Sequence, residues 1–489
     1  MPSANDSRGL VLSNILWNLI EKIGAQGISF VVTIILSRLL LPEQYGLVAM
    51  LSFIIIIGQT LIDCGLGVAL IQKKDSDDLD FNTVFFSSLL LGLLMYGGMY
   101  VGAPLLASFF NEPRLTFLTR IYTLSFLWSG YNSILFAYVS KHFQFKKMFK
   151  RTFFATILSG IVGITLAYMN AGVWALVAQS FSASIIGITI LQWSIEWKPR
   201  LQFSWTRAKM LLSFSTKIMG ANFIGTVFNE LKGVLIGKLY TPADLAFFNK
   251  GGSFPNLIAN NVNTSLGNVL FPFMANYGND NERVKQITRR SIKISSYVMF
   301  FFLTILIVMS EPLVRLLLTE KWLNCVPFMQ MVCLQRMLEV LSASNLQALK
   351  AVGEGSTILR LEFYKKPVFL LMTLVGAYIS VFALAVTLPL YALYADIVNM
   401  WPNKRVLNYP ITEQIKDVIP AVLLSLVVFL VTFPITFLEI PDFCQILLIG
   451  ALGLCVYILV SHMGKLESYE YCRETLQRII KKRTSQVSR

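Results

Sequence analysis

The sequence predicts an all-α polytopic membrane protein of about fourteen transmembrane helices, built as two pseudo-symmetric six-helix bundles with two C-terminal helices appended. Composition is the first observation behind this. Of 489 residues, 55% are hydrophobic and only 14% are charged, which is too apolar for a soluble chain of this length. The second is the recurrence of apolar runs of about twenty residues, each able to cross a bilayer core of about 30 Å. The third is an internal repeat. SRLLLPEQYG at 37–46 aligns with GKLYTPADLA at 237–246, pairing Arg38 with Lys238 and Pro42 with Pro242. APLLASFFNEPR at 103–114 aligns with EPLVRLLLTEKW at 311–322, pairing Pro104 with Pro312 and Glu112 with Glu320. Helices 1 to 6 therefore read as duplicated in helices 7 to 12. An even number of helices per copy makes both copies run the same way, about an axis along the membrane normal.

Taken in order, the spans fall at 11–37, 44–71, 83–109, 115–140, 149–168, 172–194, 209–239, 243–276, 290–318, 323–350, 357–379, 382–403, 413–437 and 443–463. The first sets the theme. Asn14, Asn18, Lys22, Gln26, Ser29 and Thr33 recur every three or four residues, one polar stripe on an otherwise apolar helix, with Glu21 and Lys22 near the midplane. A charge at that depth is costly unless it faces a wet cavity or a partner, so it is read as functional, with a salt-bridged structural pair as the rival. The second span carries Asp63. The fourth and tenth are the least apolar; Arg120 in one, and Arg336 with Glu339 in the other, make them interior walls. The seventh carries Lys217, Asn222, Thr226, Asn229, Glu230 and Lys232. In the eighth, Asn249, Ser253, Asn256, Asn260, Asn263 and Gly267 form a second stripe beside Lys250, and the twelfth carries Asp396. Such amide stripes also serve as interhelical glue, at about 0.6–2 kcal/mol per hydrogen bond. Spans thirteen and fourteen lie outside the repeat. The expected division is 1–200 and 201–405 for the two bundles, 406–463 for the added pair and 464–489 for a basic cytoplasmic tail.

The net charge of +15 is explained by topology rather than by nucleic acid. Lys and Arg fall in alternate loops, among them Lys141, Lys146, Lys147, Lys150 and Arg151, while the intervening loops are short and nearly uncharged. By the positive-inside rule both termini are cytoplasmic. The first apolar segment is longer than a signal h-region and lacks a small-residue cleavage site, so it is expected to stay as an uncleaved anchor. The six cysteines are scattered singly and read as small core residues, and the two histidines are too few for a His-based metal site. The acidic loop KKDSDDLDF at 73–81 has the composition of a metal–nucleotide site, but Asp and Ser at a helix start also cap free amides, and the polar-cap reading is preferred. Nothing in the pattern calls for a catalytic residue, a cofactor or a metal.

The segment from Ser37 to about Leu94, SRLLLPEQYGLVAM through LIDCGLGVALIQKKD to DLDFNTVFFSSLLLGLL, resembles the N-terminal signature of the polysaccharide-transport branch of the multidrug/oligosaccharidyl-lipid/polysaccharide flippase superfamily. Within that branch the chain is similar to Wzx-type lipopolysaccharide and colanic-acid exporters. The resemblance implies a pair of helix bundles in the bacterial inner membrane that moves a polyprenyl-diphosphate-linked oligosaccharide by alternating access. It also implies contact with membrane lipids and with other polysaccharide-assembly proteins. No family motif assigns the site residues, so the candidates rest on residue chemistry. For the substrate these are Lys22, Arg120, Lys217, Lys232, Lys250 and Arg336 as cations for the diphosphate, and Asn249, Asn256 and Asn260 for sugar hydroxyls. For a coupling ion they are Glu21, Asp63, Glu230, Glu339 and Asp396. Two alternatives stand beside this reading: a cation-coupled multidrug exporter of the same superfamily, and a membrane oligosaccharide polymerase or ligase, which needs an outer catalytic surface that loops of a few residues do not provide.

Overall fold

The computed structural model describes residues 24, 26–63, 65–73, 75–278, 280–474 and 477, and these form helices and turns with no strand among them. Glu21 and Lys22, and the tail beyond the described residues, lie outside this set. In chain order the helices are α1 (Gln26–Leu39), α2 (Pro42–Asp63), α3 (Leu66–Gln72), α4 (Asp78–Phe110), α5 (Leu115–Tyr122), α6 (Phe126–Lys141), α7 (Phe145–Tyr168), α8 (Val173–Ser194) and α9 (Trp205–Leu239). There follow α10 (Pro242–Ala275), α11 (Asn281–Val308), α12 (Ser310–Leu318), α13 (Val326–Ala351), α14 (Gly355–Ile379), α15 (Val381–Val406), α16 (Ile411–Thr432) and α17 (Asp442–Met463). Eight helical stretches among the described residues are long and apolar enough to cross a membrane. The long helices α9, α10, α13 and α14 fall short of that because Lys, Arg, Glu and Asn interrupt their apolar runs.

Several expected spans are broken, each for a local reason. The run 44–71 breaks where Gly65 adopts a left-handed φ of 68°, a conformation that glycine reaches without strain. The run 115–140 tightens into a 3-10 turn at Thr123–Ser125, where Thr123 Oγ1 donates to the Thr119 carbonyl at 2.7 Å and Ser125 Oγ to that of Tyr122 at 2.8 Å. The run 290–318 divides at Met309, three residues before Pro312, which has no N–H to continue the ladder.

The acidic loop is a helix cap, as its composition suggested. Asp77 accepts from the Asp80 amide at 3.0 Å, and the Asp80 carboxylate returns a bond from the Asp77 amide at 3.2 Å, closing a capping box at the start of α4. Asp80 is fully buried and also receives Lys73 at 2.6 Å and Arg207 at 3.1 Å. This one carboxylate ties the α3–α4 loop to the start of α9.

The chain divides between Ala246 and Phe247 into two compact units. In the first, small residues let helix backbones approach closely. A Cβ on Gly92 of α4 would fall 2.5 Å from the Phe126 carbonyl oxygen, and one on Gly58 of α2 would overlap the Phe126 ring. A Cβ on Gly46 would overlap the carbonyl of Pro242, so the segments 37–46 and 237–246 touch at this point. They are also built alike. Gln44 Oε1 accepts from the Leu41 amide at 3.0 Å, and Asp244 Oδ2 accepts from the Thr241 amide at 3.1 Å. In the second unit α15 packs on α13 and α14, and α11 on α13 and α16, around a core that includes Tyr297, Val428, Ile449 and Tyr457. The cysteine reading needs correcting here: Cys325 and Cys333 are buried, but Cys444 and Cys455 of α17 are exposed, because only one face of that helix packs on the rest of the unit.

Candidate functional site

Two adjoining cavities open in the first unit, with volumes of about 350 and 640 Å³, and Asp63, Ser133 and Phe136 line both. Asp63 stands at the C-terminal end of α2, where the break before Gly65 leaves it at the cavity wall, half-buried and hydrogen-bonded to Ser133. The smaller cavity is walled by Ser125 of the 3-10 turn and the polar stripe of α6 (Ser129, Asn132 and Ser133), by Ser180 and Ser184 one turn apart on α8, and by Gln59 of α2. Its apolar lining is aromatic: Tyr122, Trp128, Phe136 and Phe181, with the Trp128 and Phe181 rings edge to face at 5.2 Å. Arg151 of α7 also lines this cavity and donates to Asn132 Oδ1 at 2.5 Å. The larger cavity adds Asn222, Thr226 and Asn229, spaced along one face of α9. Hydroxyls and amides that both donate and accept, set beside flat aromatic faces with one guanidinium in the lining, suit a hydroxyl-rich ligand that carries an anionic group.

Sequence reasoning reached Asp63 but missed Arg151, which it counted among the charges of an inner loop. The structure places Arg151 inside α7, which begins at Phe145. The signal that finds this site is the one used for the first span: Ser125, Ser129, Asn132 and Phe136 recur every three or four residues along one chain segment.

The second unit brings other candidates together. Arg336 of α13 donates to Asn256 Oδ1 of α10 at 2.8 Å and pairs with Glu339, which also accepts from Gln335 at 2.7 Å. Glu339 is therefore a partnered carboxylate. Lys250 is 6% exposed, with its ammonium 5.1 Å from the centre of the Trp322 ring. Asn249 and Asn260 are exposed on α10. Asp396 of α15 is buried against Ser342. Two other candidates are held apart from any cavity or lie beside a partner. Arg120 lies over the Tyr100 ring at 4.5 Å and donates to the Tyr100 carbonyl at 3.3 Å, which gives it a partner on α4 rather than a cavity position. Glu230 is half-buried on α9 near Lys232. Lys217 lies on α9, with its side chain outside the described ones.

Apolar helices long enough to cross a membrane, with a polar, aromatic-walled cavity between helices of the first unit, are an architecture that transporters share. The chain belongs to the family described as polysaccharide biosynthesis protein, whose model matches residues 35–327. It is 24% identical to the succinoglycan biosynthesis transport protein ExoT of Rhizobium meliloti (strain 1021), over 71% of this chain and 70% of that one. It is 21% identical to the lipopolysaccharide biosynthesis protein WzxC of Escherichia coli (strain K12), over 67% of each. The fold matches that of the lipid II flippase MurJ in an inward closed conformation, with a TM-score of 0.72 at 14% identity, over 92% of this chain and 98% of that one.

Proposed function

We propose that the chain is a flippase that moves a polyprenyl-diphosphate-linked oligosaccharide, an O-antigen, capsule or exopolysaccharide unit, from the inner to the outer leaflet by alternating access. The observation that carries this is the first-unit cavity, whose serines, amides and aromatic rings match a sugar head and whose Arg151 matches an acidic group. The likeness to relatives of polysaccharide transport and biosynthesis, and the flippase-like fold, support the same reading. They favour a transporter over a polymerase or ligase.

Within this proposal the chain crosses the bacterial inner membrane about fourteen times with both termini in the cytoplasm, as the alternation of Lys and Arg among its loops supports. Residues 1–200 and 201–405 form two six-helix bundles, 406–463 an added pair and 464–489 a basic tail. The local likeness of the turns at 41–44 and 241–244 supports the duplication. Lys22, Lys217, Lys232, Lys250 and Arg336 supply positive charge for the diphosphate, whereas Arg120 is engaged with Tyr100, and Asn249, Asn256 and Asn260 meet sugar hydroxyls. Glu21, Asp63, Glu230, Glu339 and Asp396 are the carboxylates for a coupling ion. Other polysaccharide-assembly proteins are expected partners.

The test is the sidedness of the lipid-linked oligosaccharide in cells with and without the chain, read with a periplasmic probe of the sugar head. The proposal expects the intermediate to be intact but trapped on the cytoplasmic side without the protein, and outer access to return on re-expression. Outer access regardless of the protein contradicts it and turns attention to small-molecule efflux.

A further inference from the structure

At the end of the second unit that the positive-inside rule puts in the cytoplasm, two cavities of about 30 and 140 Å³ share Lys293, Glu467 and Ser468 as lining. This common wall exists because α17 ends in a chain reversal. Lys465 adopts a left-handed φ of 45°, the Leu466 amide donates to the Ser461 carbonyl at 3.1 Å, and the Lys465 amide donates to that of His462 at 3.2 Å. A last helix over 467–474 follows. Leu466, Tyr469 and Cys472, three residues apart, pack on the core that holds Tyr297 and Tyr457. The other side of this helix meets α11. Lys293 pairs with Glu467 at 2.5 Å, Ser468 Oγ donates to the Lys293 carbonyl at 3.3 Å, and the Arg290 guanidinium lies 3.8 Å from the centre of the Tyr471 ring.

The charges here do not balance. Arg290, Lys293 and Lys416 line the cavities together with Asp417 and Glu467. Asp417 is matched by Arg289 at 2.7 Å, Glu467 by Lys293, and the nearby Glu413 by Lys285 at 3.2 Å and Arg289 at 2.9 Å. Arg290 and Lys416 are exposed, and among the described residues neither has a carboxylate within ion-pair distance. A second feature is apolar. Lys416, Pro420, Leu423, Val427 and Leu430 recur four, three, four and three residues apart along α16, and all are exposed. That stripe runs for about 20 Å, more than the roughly 15 Å of hydrocarbon in one leaflet. A cationic mouth that opens onto an apolar face selects an amphiphile with an anionic head. A free phosphate makes no use of the face, and a zwitterionic lipid brings an ammonium of its own.

We infer that the cleft between α11, α16 and the helix over 467–474 is a binding site for the head group of a single anionic phospholipid. Lys416 and Lys293 take the phosphate, Arg290 adds charge beside it, and an acyl chain lies along the exposed face of α16. The site stands or falls independently of what the chain transports, because its test reads phospholipid binding alone. Purified full-length protein in detergent is incubated with radiolabelled phosphatidylglycerol. The expected result is saturable binding that unlabelled phosphatidylglycerol displaces, and that neither phosphatidylethanolamine at equal concentration nor inorganic phosphate does. Lys416→Gln and Arg290→Gln each weaken binding about fivefold, and together about twentyfold or more. Each single variant serves as the reading if the double variant does not fold. Replacing Lys198 and Arg200, exposed cations of the first unit, by Gln leaves binding unchanged. Displacement by inorganic phosphate, which assigns the cleft to a soluble anion, overturns the proposal, as does equal competition by phosphatidylethanolamine. Binding undiminished in the Arg290 and Lys416 variants, or an equal loss in the Lys198 and Arg200 variant, also overturns it.

Discussion

Arg151 is the residue on which the substrate reading leans most. Its guanidinium is held at the first-unit cavity by Asn132, so it is oriented before any ligand arrives. A charge-assisted hydrogen bond contributes about 1.5–3 kcal/mol, so Arg151→Ala is expected to lower flipping by roughly tenfold to a hundredfold at unchanged abundance, with Arg151→Lys between. Transport by Arg151→Ala at the wild-type rate would remove this residue from the substrate path. Glu112, outside the spans, makes a different kind of prediction. The hydrogen bond from Arg114 is the largest of the influences on its carboxyl and holds it below the usual carboxylate range, against a smaller opposing effect of burial. A carboxyl depressed on folding adds stability that is present above its unfolded pKa and fades as pH falls through its folded value. Arg114 is half in solvent, so the contribution is about 0.2–1 kcal/mol. Melting temperatures of wild type and Glu112→Gln are therefore expected to differ slightly at neutral pH and to converge in acid below the carboxylate range; a gap that widens in acid contradicts this.

At the scale of the element, the start of α4 gives the sharpest stability prediction. Asp80 closes the capping box, is fully buried, and is the shared partner of Lys73 and Arg207. Removing Asp80 leaves Lys73 and Arg207, each about a quarter to a third in solvent, free to be hydrated, so the loss is chiefly that of the capping box, and Asp80→Ala is expected to cost about 0.5–2 kcal/mol, read as a lower melting temperature of the purified protein in detergent. Wild-type stability in that variant would mean that the loop is held by other contacts. This cap was legible in the sequence because Asp and Ser before an apolar run have few other uses. The α10 stripe was legible for the same reason, since its amides recur along a single helix. The first-unit cavity was not, because α2, α6, α7, α8 and α9 each contribute only a few of its polar residues, and convergence between helices leaves no mark along any one of them. Arg151 sits in a run of Lys residues that reads as an inner loop. The break at Gly65 was hidden because the hydrophobic run LIDCGLGVALI continues through it, and hydropathy does not register a change in φ.

At the scale of the whole molecule, the family match, the helical architecture and the polar lining of the first unit point to a transporter of polysaccharide precursors. Each unit carries its own polar chemistry. The first has an open, aromatic-walled cavity, and the second has the Arg336–Asn256–Glu339 cluster and the buried acceptors around Asp396. The open cavity of the first unit predicts that Arg151→Ala changes the dependence of flipping on substrate concentration. The most direct measurement of the central claim uses proteoliposomes of the purified full chain loaded with a fluorescent polyprenyl-diphosphate oligosaccharide, and follows the fraction of label that a membrane-impermeant quencher reaches over time. The account predicts that the quenchable fraction rises beyond that of protein-free vesicles and that Arg151→Ala slows the rise. An identical time course with and without the protein contradicts it.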